Sequence, residues 1–290
     1  MGFHCATMAE GKLLITGLSL LPKGLLSRIV GALVAIPIPR FARRFVIGTF
    51  ARAFGADPNE ADKPLIDYGS IAKFFIRHLK DGARPVDATA HALVSPADGR
   101  LLLAGTVMSG TAMQIKGKPY RVDELLPGGD EAARLSQGTF TTVYLSPKDY
   151  HRVHSPVTGR ITGYLWVPGT LWPVNAAGVS HIDRLFCRNE RLVTFIETDS
   201  FGLVAVAMVG ATNVGKMTVG HAPDVVTNSG RREIRRVVYD EQVSIERGDE
   251  LGVFHMGSTV VLITERSNLE CTVEPESALK MGELLLRRID

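Results

Sequence analysis

Residues 251–264 read LGVFHMGSTVVLIT, and how the chain passes through Gly257-Ser258-Thr259 decides the fold. The flanks are apolar, with Phe254 and Met256 before the break and Val260-Val261-Leu262-Ile263 after it. The second flank is short and β-branched, the pattern of a buried strand. A surface turn carries Asn, Asp or Pro close by, and this one does not. A small nucleophilic side chain therefore follows a residue with no side chain, inside what reads as core.

Upstream of this stretch, from about residue 89, the chain is a series of short β-rich runs punctuated by Gly, Pro and Asp: GRLLLAGTV, GTFTTVYLS, GRITGYLWVPG, RLVTFIETD and FGLVAVAMVGA. The step from LVTFIET through Asp199-Ser200-Phe201-Gly202 to LVAVAMV predicts a hairpin. Residues 1–88 read instead as helices broken by Pro and Gly. In YGSIAKFFIRHLKDGARPVD, Ile71, Phe74, Phe75 and Leu79 recur at helical spacing, and Gly82 and Pro85 stop the helix. The expected fold is α+β, a mostly antiparallel β core over 89–290 with a helical N-terminal region over 1–88.

The 290 residues are 45% hydrophobic, enough for a sizeable core. Cys5, Cys187 and Cys271 are odd in number and far apart, which suits a reducing compartment and no disulfide framework. The eight histidines include no HExxH pair, so the sequence offers no strong metal motif. The net charge of +3 hides an asymmetry: residues 1–54 carry +6, leaving −3 for the rest. Basic, acid-poor segments meet anionic surfaces. Here the basic residues are interleaved with Leu, Ile, Val and Phe, which favours a lipid surface over nucleic acid. Only eleven uncharged residues separate Arg28 from Arg40, Pro37 and Pro39 among them. That is too short to span a bilayer. Residues 24–36 fit one amphipathic helix, with Leu25, Leu26, Ile29, Val30, Leu33, Val34 and Ile36 on one half of the wheel. Over 40–54 the pattern is mixed, with Phe41 and Phe45 opposite Phe50 and Phe54. The competing reading is that these helices simply pack on the core. An organelle transit peptide shares the same Arg-rich, acid-poor character.

Three polar clusters interrupt the apolar β context. Asp98 lies in SPADGRLLL, where Asp-Gly is by itself ordinary turn chemistry. His151 and His154 lie in YLSPKDYHRVHSPVTG, bracketed by Pro147 and Pro156. A histidine pair serves as a metal half-site, as an acid/base pair, or as structure. Ser258 is the third. Asp, His and Ser are the ingredients of an activated serine, yet no GxSxG elbow is present.

The whole set has a resemblance. LPKGLLSRIVG, FFIRHLKDGARPVD, SPADGR, YLSPKDYHRVHSP, VPGTLWPVN, LFCRNERLV, VGATNVGKM and GDELGVFHMGSTVVL run in order along nearly the full chain. Together they resemble the phosphatidylserine decarboxylases of the compact bacterial type. Met256 replaces the Leu frequent before Gly-Ser-Thr, a near-isosteric exchange. The tip MGFHCAT matches nothing in the pattern, which makes Met8 a second candidate start.

The resemblance implies that the chain cuts itself between Gly257 and Ser258, giving a large chain 1–257 and a small chain 258–290 that stay associated. Ser258 becomes a covalent pyruvoyl cofactor. His154 is implied as general base for the cut, Asp98 as the residue that orients it, and His151 as the acid/base group for decarboxylation. The substrate is phosphatidylserine in an anionic membrane, captured through a Schiff base, and the product is phosphatidylethanolamine with release of carbon dioxide. A peripheral position at the cytoplasmic face of the cell membrane and a homodimer are further expectations of the resemblance, and no nucleic acid is involved. Two readings from other classes compete: an intact-chain serine hydrolase using Asp98, His154 and Ser258, and a non-catalytic membrane-binding module.

Overall fold

The structure is a computed structural model and describes residues 23–114, 117–212, 216–230, 232–255 and 258–289. The fold is α+β. Its principal helices are Lys23–Ala35 (α1), Arg40–Phe54 (α2) and Ile71–Phe75 (α3). The strands in chain order are Ala92–Val94 (β1), Gly99–Thr106 (β2), Thr111–Gln114 (β3), Lys118–Arg121 (β4), Thr139–Leu145 (β5), Arg152–His154 (β6), Gly159–Val167 (β7) and Arg191–Thr198 (β8). They continue with Gly202–Val209 (β9), Met217–Val219 (β10), Arg235–Ile245 (β11), Glu250–Phe254 (β12), Ser258–Thr264 (β13), Leu269–Cys271 (β14), Ala278–Leu279 (β15) and Leu284–Arg288 (β16).

Eight strands form one antiparallel sheet in the order β11-β7-β8-β9-β13-β5-β2-β15. β13 lies in its interior, paired with β9 on one side and β5 on the other. All seven β13 residues are buried. Burial on both faces explains why STVVLIT lacks the polar alternation of a half-exposed strand. The expected hairpin is present, with Thr198 paired to Gly202 and the ladder running to Arg191 and Val209. Thr198 Oγ1 accepts from Phe201 N and donates to Gly202 O, so the threonine closes the turn by itself.

The break in the opening stretch is a change of sheet. β12 belongs to a three-stranded sheet with β10 and β6, and β13 to the large one. The described apolar flanks, Phe254 before the break and Val260–Ile263 after it, are therefore core residues of two different sheets.

The N-terminal helices form a second, smaller core. Ile47, Ala51, Ala56, Ala61, Tyr68 and Phe74 are its buried members. α2 turns Ile47 and Ala51 inward and leaves Phe41 90% exposed and Phe45 72% exposed, so its two aromatic pairs point apart as expected. α1 does the reverse of a core helix. Its one buried residue is Ser27, while Leu25, Ile29 and Leu33 are exposed, as is Ile36 beyond its end.

One expectation is corrected. The helix expected from Ile71 past Leu79 ends at Phe75. Ser70 caps its start by accepting from Lys73 N. Beyond it, the backbone is drawn into other partners: Ile76 O accepts from Arg152 Nε, Asp62 N donates to His78 O, and Lys80 N donates to Glu60 O. Bridging to residues 60–62 replaces the i→i−4 bonds that would have continued the helix, so tertiary pairing overrides the local period.

Arg191, at the start of β8, shows how the sheet holds the loops beyond it. It is 2% exposed and donates to the carbonyls of Leu125 (2.7 Å), Cys187 (2.6 Å), Asn189 (3.0 Å) and Glu124 (2.7 Å). Replacing it with Met strands these acceptors. We expect Arg191→Met to cost roughly 3 kcal/mol or more, read as a lower urea midpoint, with Arg191→Lys recovering part of the loss because one ammonium cannot reach all four carbonyls. An unchanged midpoint in Arg191→Met would count against this role.

Candidate active site

Ser258 opens β13, opposite Leu145. The chain after Leu145 turns at Ser146-Pro147-Lys148-Asp149, where Asp149 Oδ2 accepts from both Ser146 N (2.7 Å) and Ser146 Oγ (2.6 Å). That turn delivers His151 to the side of β12, where its carbonyl accepts from Phe254 N (2.9 Å). β6 then pairs with β12, which puts His154 opposite Glu250. Ser258 thus opens an interior strand of the large sheet, while His154 ends a strand of the small one. Gly257, the other half of the expected scissile bond, lies outside the described residues.

Ser258 is fully buried, and its Oγ has no hydrogen-bond partner among the described residues. Such a hydroxyl is costly unless it has work to do. His151 matches it. Its Nδ1 faces Asp149 O at 2.8 Å, so Nδ1 carries the proton, while Nε2 is buried and unpartnered among the described residues. Burial pushes the His151 pKa down to about 3, and Phe75 packs on the ring at 3.9 Å between centroids. His151 is thus a neutral imidazole with a free lone pair.

His154 is fully engaged. Its Nδ1 donates to Gly248 O at 2.7 Å, so Nε2 accepts from the Tyr150 hydroxyl at 3.1 Å. Burial lowers its pKa, opposed by the bond to Gly248. Burial likewise pushes Tyr150 up to about 12, so the phenol keeps its proton.

Asp98 departs from expectation. It is no surface turn, being 1% exposed at the mouth of β2. Gly99 follows because a Cβ there would run into the Tyr144 carbonyl. The carboxylate does not hydrogen-bond His154. Its oxygens accept from Arg84 Nε (2.8 Å) and Nη2 (2.6 Å) and from Met281 N (2.9 Å), with Lys280 Nζ at 3.5 Å. The orienting of His154 falls to Gly248 and Tyr150, and Asp98 acts on it as a nearby charge. Arg84 also grips Glu60 with two bonds. Beside this network a cavity of about 350 Å³ is lined by Arg77, Arg100, Lys148 and Lys280 together with Asp57 and Glu60. Among the described residues, no group of three or more His, Cys, Asp or Glu side chains is placed to hold a metal ion.

Sequence reasoning singled out the histidines and passed over Tyr150, Gly248 and Arg84. The signals were present in DYHRVH, in GDELG and in GARP, but which atoms they touch is a matter of long-range pairing.

Comparison with known proteins decides the family. A protein-family model described as phosphatidylserine decarboxylase matches residues 71–287. The chain belongs to the phosphatidylserine decarboxylase family. A phosphatidylserine decarboxylase proenzyme of Myxococcus xanthus is 41% identical over 92% of this chain and 95% of its own length. Proteins with the same name from Brevibacillus brevis and Acinetobacter baylyi are 42% and 38% identical, over 95% and 94% of this chain and 98% and 94% of theirs. The family resemblance seen in the motifs holds along nearly the whole chain.

The buried histidines make acid stability a direct test of this geometry. Burial holds His221 and His255 near 4 and His151 near 3, against about 6.5 for a free imidazole. The unfolded chain takes up protons below about 6.5 and the folded chain does not, so the stabilisation is complete above that pH and is lost as pH falls towards 4. His221 and His255 should each account for about 2 kcal/mol lost at pH 5. We expect Tm to drop between pH 7.5 and 5, and His221→Gln to flatten the drop; a flat Tm across that window in the unsubstituted protein would refute buried neutral imidazoles.

Proposed function

We propose that the chain is a self-processing, pyruvoyl-dependent phosphatidylserine decarboxylase that works as a peripheral protein on an anionic membrane, at its cytoplasmic face. The observation that carries the reading is the Ser258 hydroxyl, buried and without a partner among the described residues at the first residue of an interior strand, in a family whose members carry the name proenzyme.

In processing, Ser258 Oγ attacks the Gly257 carbonyl carbon, and the amide becomes an ester. Elimination across the serine Cα–Cβ bond then releases residues 1–257 as a carboxylate. Hydrolysis of the dehydroalanine left at 258, with loss of ammonia, yields the pyruvoyl end. A rigid strand raises the effective concentration of the hydroxyl. His154 is the base assigned by resemblance. For it to take the serine proton, Tyr150 must either leave Nε2 or pass the proton through its own hydroxyl. The two products stay together because β13 remains laddered to β5 and β9, β15 to β2 and β16 to β1.

The pyruvoyl ketone supplies the electron sink for loss of carbon dioxide. The unpartnered atoms at Ser258 and His151 suit a reactive centre formed there. His151, whose Nε2 is free to take a proton and return it at the substrate carbon, is the acid/base group of that step. Membrane docking rests on α1 and α2. Leu25, Ile29, Leu33, Ile36, Phe41 and Phe45 are exposed beside Arg28, Arg40 and Arg44, a combination suited to an anionic interface. No described helix is long and apolar enough to cross a membrane.

Denaturing mass spectrometry tests the processing step. The parent protein should appear as two chains divided at 257/258, and Ser258→Ala as one chain without decarboxylase activity. His154→Ala should stay whole. His151→Ala should be cut yet release carbon dioxide on the order of 10²-fold or more slowly. The reverse pattern would interchange the two roles, and a whole parent chain labelled at Ser258 by a phosphonate would point to a hydrolase.

Membrane docking is tested separately. Leu33→Glu with Phe45→Glu should leave cleavage intact and preserve activity on detergent-dispersed lipid. Activity on phosphatidylserine vesicles should fall about tenfold or more, since each buried side chain contributes roughly 1.5–3 kcal/mol. Equal losses on both substrates would mean that the helices do not dock.

A further inference from the structure

Lys23 and Arg188 both lie over the ring of Trp172, at 3.8 Å and 5.7 Å from its centroid. Two cations share one indole, and neither forms an ion pair among the described residues. Burial first, and the Arg188 charge second, lower the pKa of Lys23. Trp172 is 8% exposed, and its Nε1 is buried without a partner among the described residues. Two like charges and an unused donor around one ring form an arrangement that an anion would complete.

The position of this cluster is fixed from the Ser258 end of the sheet. Thr259 pairs with Val209, so Gly210 is the next residue along the β9 side, level with Ser258. Asn189 Nδ2 donates to both Gly210 O and Trp172 O, at 2.8 Å each, and Asn189 Oδ1 accepts from Trp172 N. One buried amide therefore pins Trp172 beside the strand that flanks Ser258. A Cβ on Gly210 would meet Leu171 and Met217, which places the Trp172 loop against the small sheet that carries His154. From the other side, Asn228 ties the first turn of α1 to this spot. Its Nδ2 donates to Gly24 O, and its backbone N to buried Glu190. The exposed Leu25, Ile29 and Leu33 continue along α1 from Lys23.

We propose that Lys23, Trp172 and Arg188 form the subsite for the phosphodiester of the lipid headgroup. The inference rests on the decarboxylase reading above. In a phosphoserine headgroup only two carbons and one oxygen separate the amino nitrogen from phosphorus, so a group reacting at residue 258 must have its phosphate close by. The two cations attract the singly negative phosphodiester, the indole N–H is a further donor to it, and the acyl chains leave along the apolar face of α1 towards the bilayer. Lys23 and Arg188 are binding residues in this scheme and take no part in proton transfer.

The test uses soluble glycerophosphoserine with the processed full-length enzyme, which removes the membrane from the measurement. Lys23→Met and Arg188→Gln should each be cut normally and keep kcat, while KM for glycerophosphoserine rises about tenfold, the equivalent of one charge-assisted contact. Lys23→Arg should restore KM. On a serine alkyl ester without phosphate, the variants and the parent should be equal. Unchanged KM for glycerophosphoserine would overturn the subsite. Equal losses on the phosphate-free ester would also overturn it, and would make the cluster a pin that holds α1 to the core. A parent protein that is neither cut nor releases carbon dioxide would sink the decarboxylase reading itself, and the subsite with it, whereas an active parent with indifferent variants sinks the subsite alone.

Discussion

The structure depends on the double pairing of β13. A strand that begins with Ser258 is laddered to β5 along one edge and to β9 along the other. Every one of its side chains is buried. Ser258 is therefore fixed opposite Leu145 at the start of an interior strand. On the proposed reading, a cut before Ser258 sacrifices none of the ladder pairs of β13. This separates two demands that normally conflict: a backbone that breaks, and a sheet that survives the break.

The charge network around Asp98 supports the same arrangement. Arg84 and Glu60 come from the helical region, Asp98 from the mouth of β2, and Lys280 and Met281 from beyond β15. One nearly buried carboxylate thus joins the N-terminal helices, the core and the C-terminal segment. Removing a partner from such a cluster leaves an uncompensated charge, which costs far more than the cluster contributes when whole. An Asp at this position can look catalytic in a mutational survey for that reason alone. Its effect on His154 is a field effect added to a structural one.

The fold was legible where the physics is local. Alternating β-rich runs, the 199–202 turn and the period of α1 each follow from residues within a few positions of one another, and each is present. The helix beyond Phe75 was misjudged because Ile76, His78 and Lys80 have backbone partners far away in sequence, at Arg152, Asp62 and Glu60. The site was legible as a set of residue types and not as a set of contacts. Asp98, His154 and Ser258 suggested a serine-type relay by composition. The register instead gives Asp98 to Arg84, and His154 to Gly248 and Tyr150. No spacing rule carries that information, since Gly248 lies on the turn before β12 and Arg84 lies in the loop that follows the helices.

The two histidines show how one motif can serve two tasks. They are three residues apart and both are buried, yet their free valences differ. Each donates from Nδ1 to a backbone carbonyl, Asp149 for His151 and Gly248 for His154, and both are thereby fixed in one tautomer. The difference lies at Nε2. Tyr150 occupies it in His154, whereas in His151, whose ring packs against Phe75, it has no partner among the described residues. On the proposed reading, a base that acts once in the life of the protein can be held behind a phenol, and a group that acts in every turnover has to be open from the start. The backbone sets this division: Tyr150 sits between the turn and β6, so its hydroxyl reaches the histidine inside the strand and leaves the one before it free.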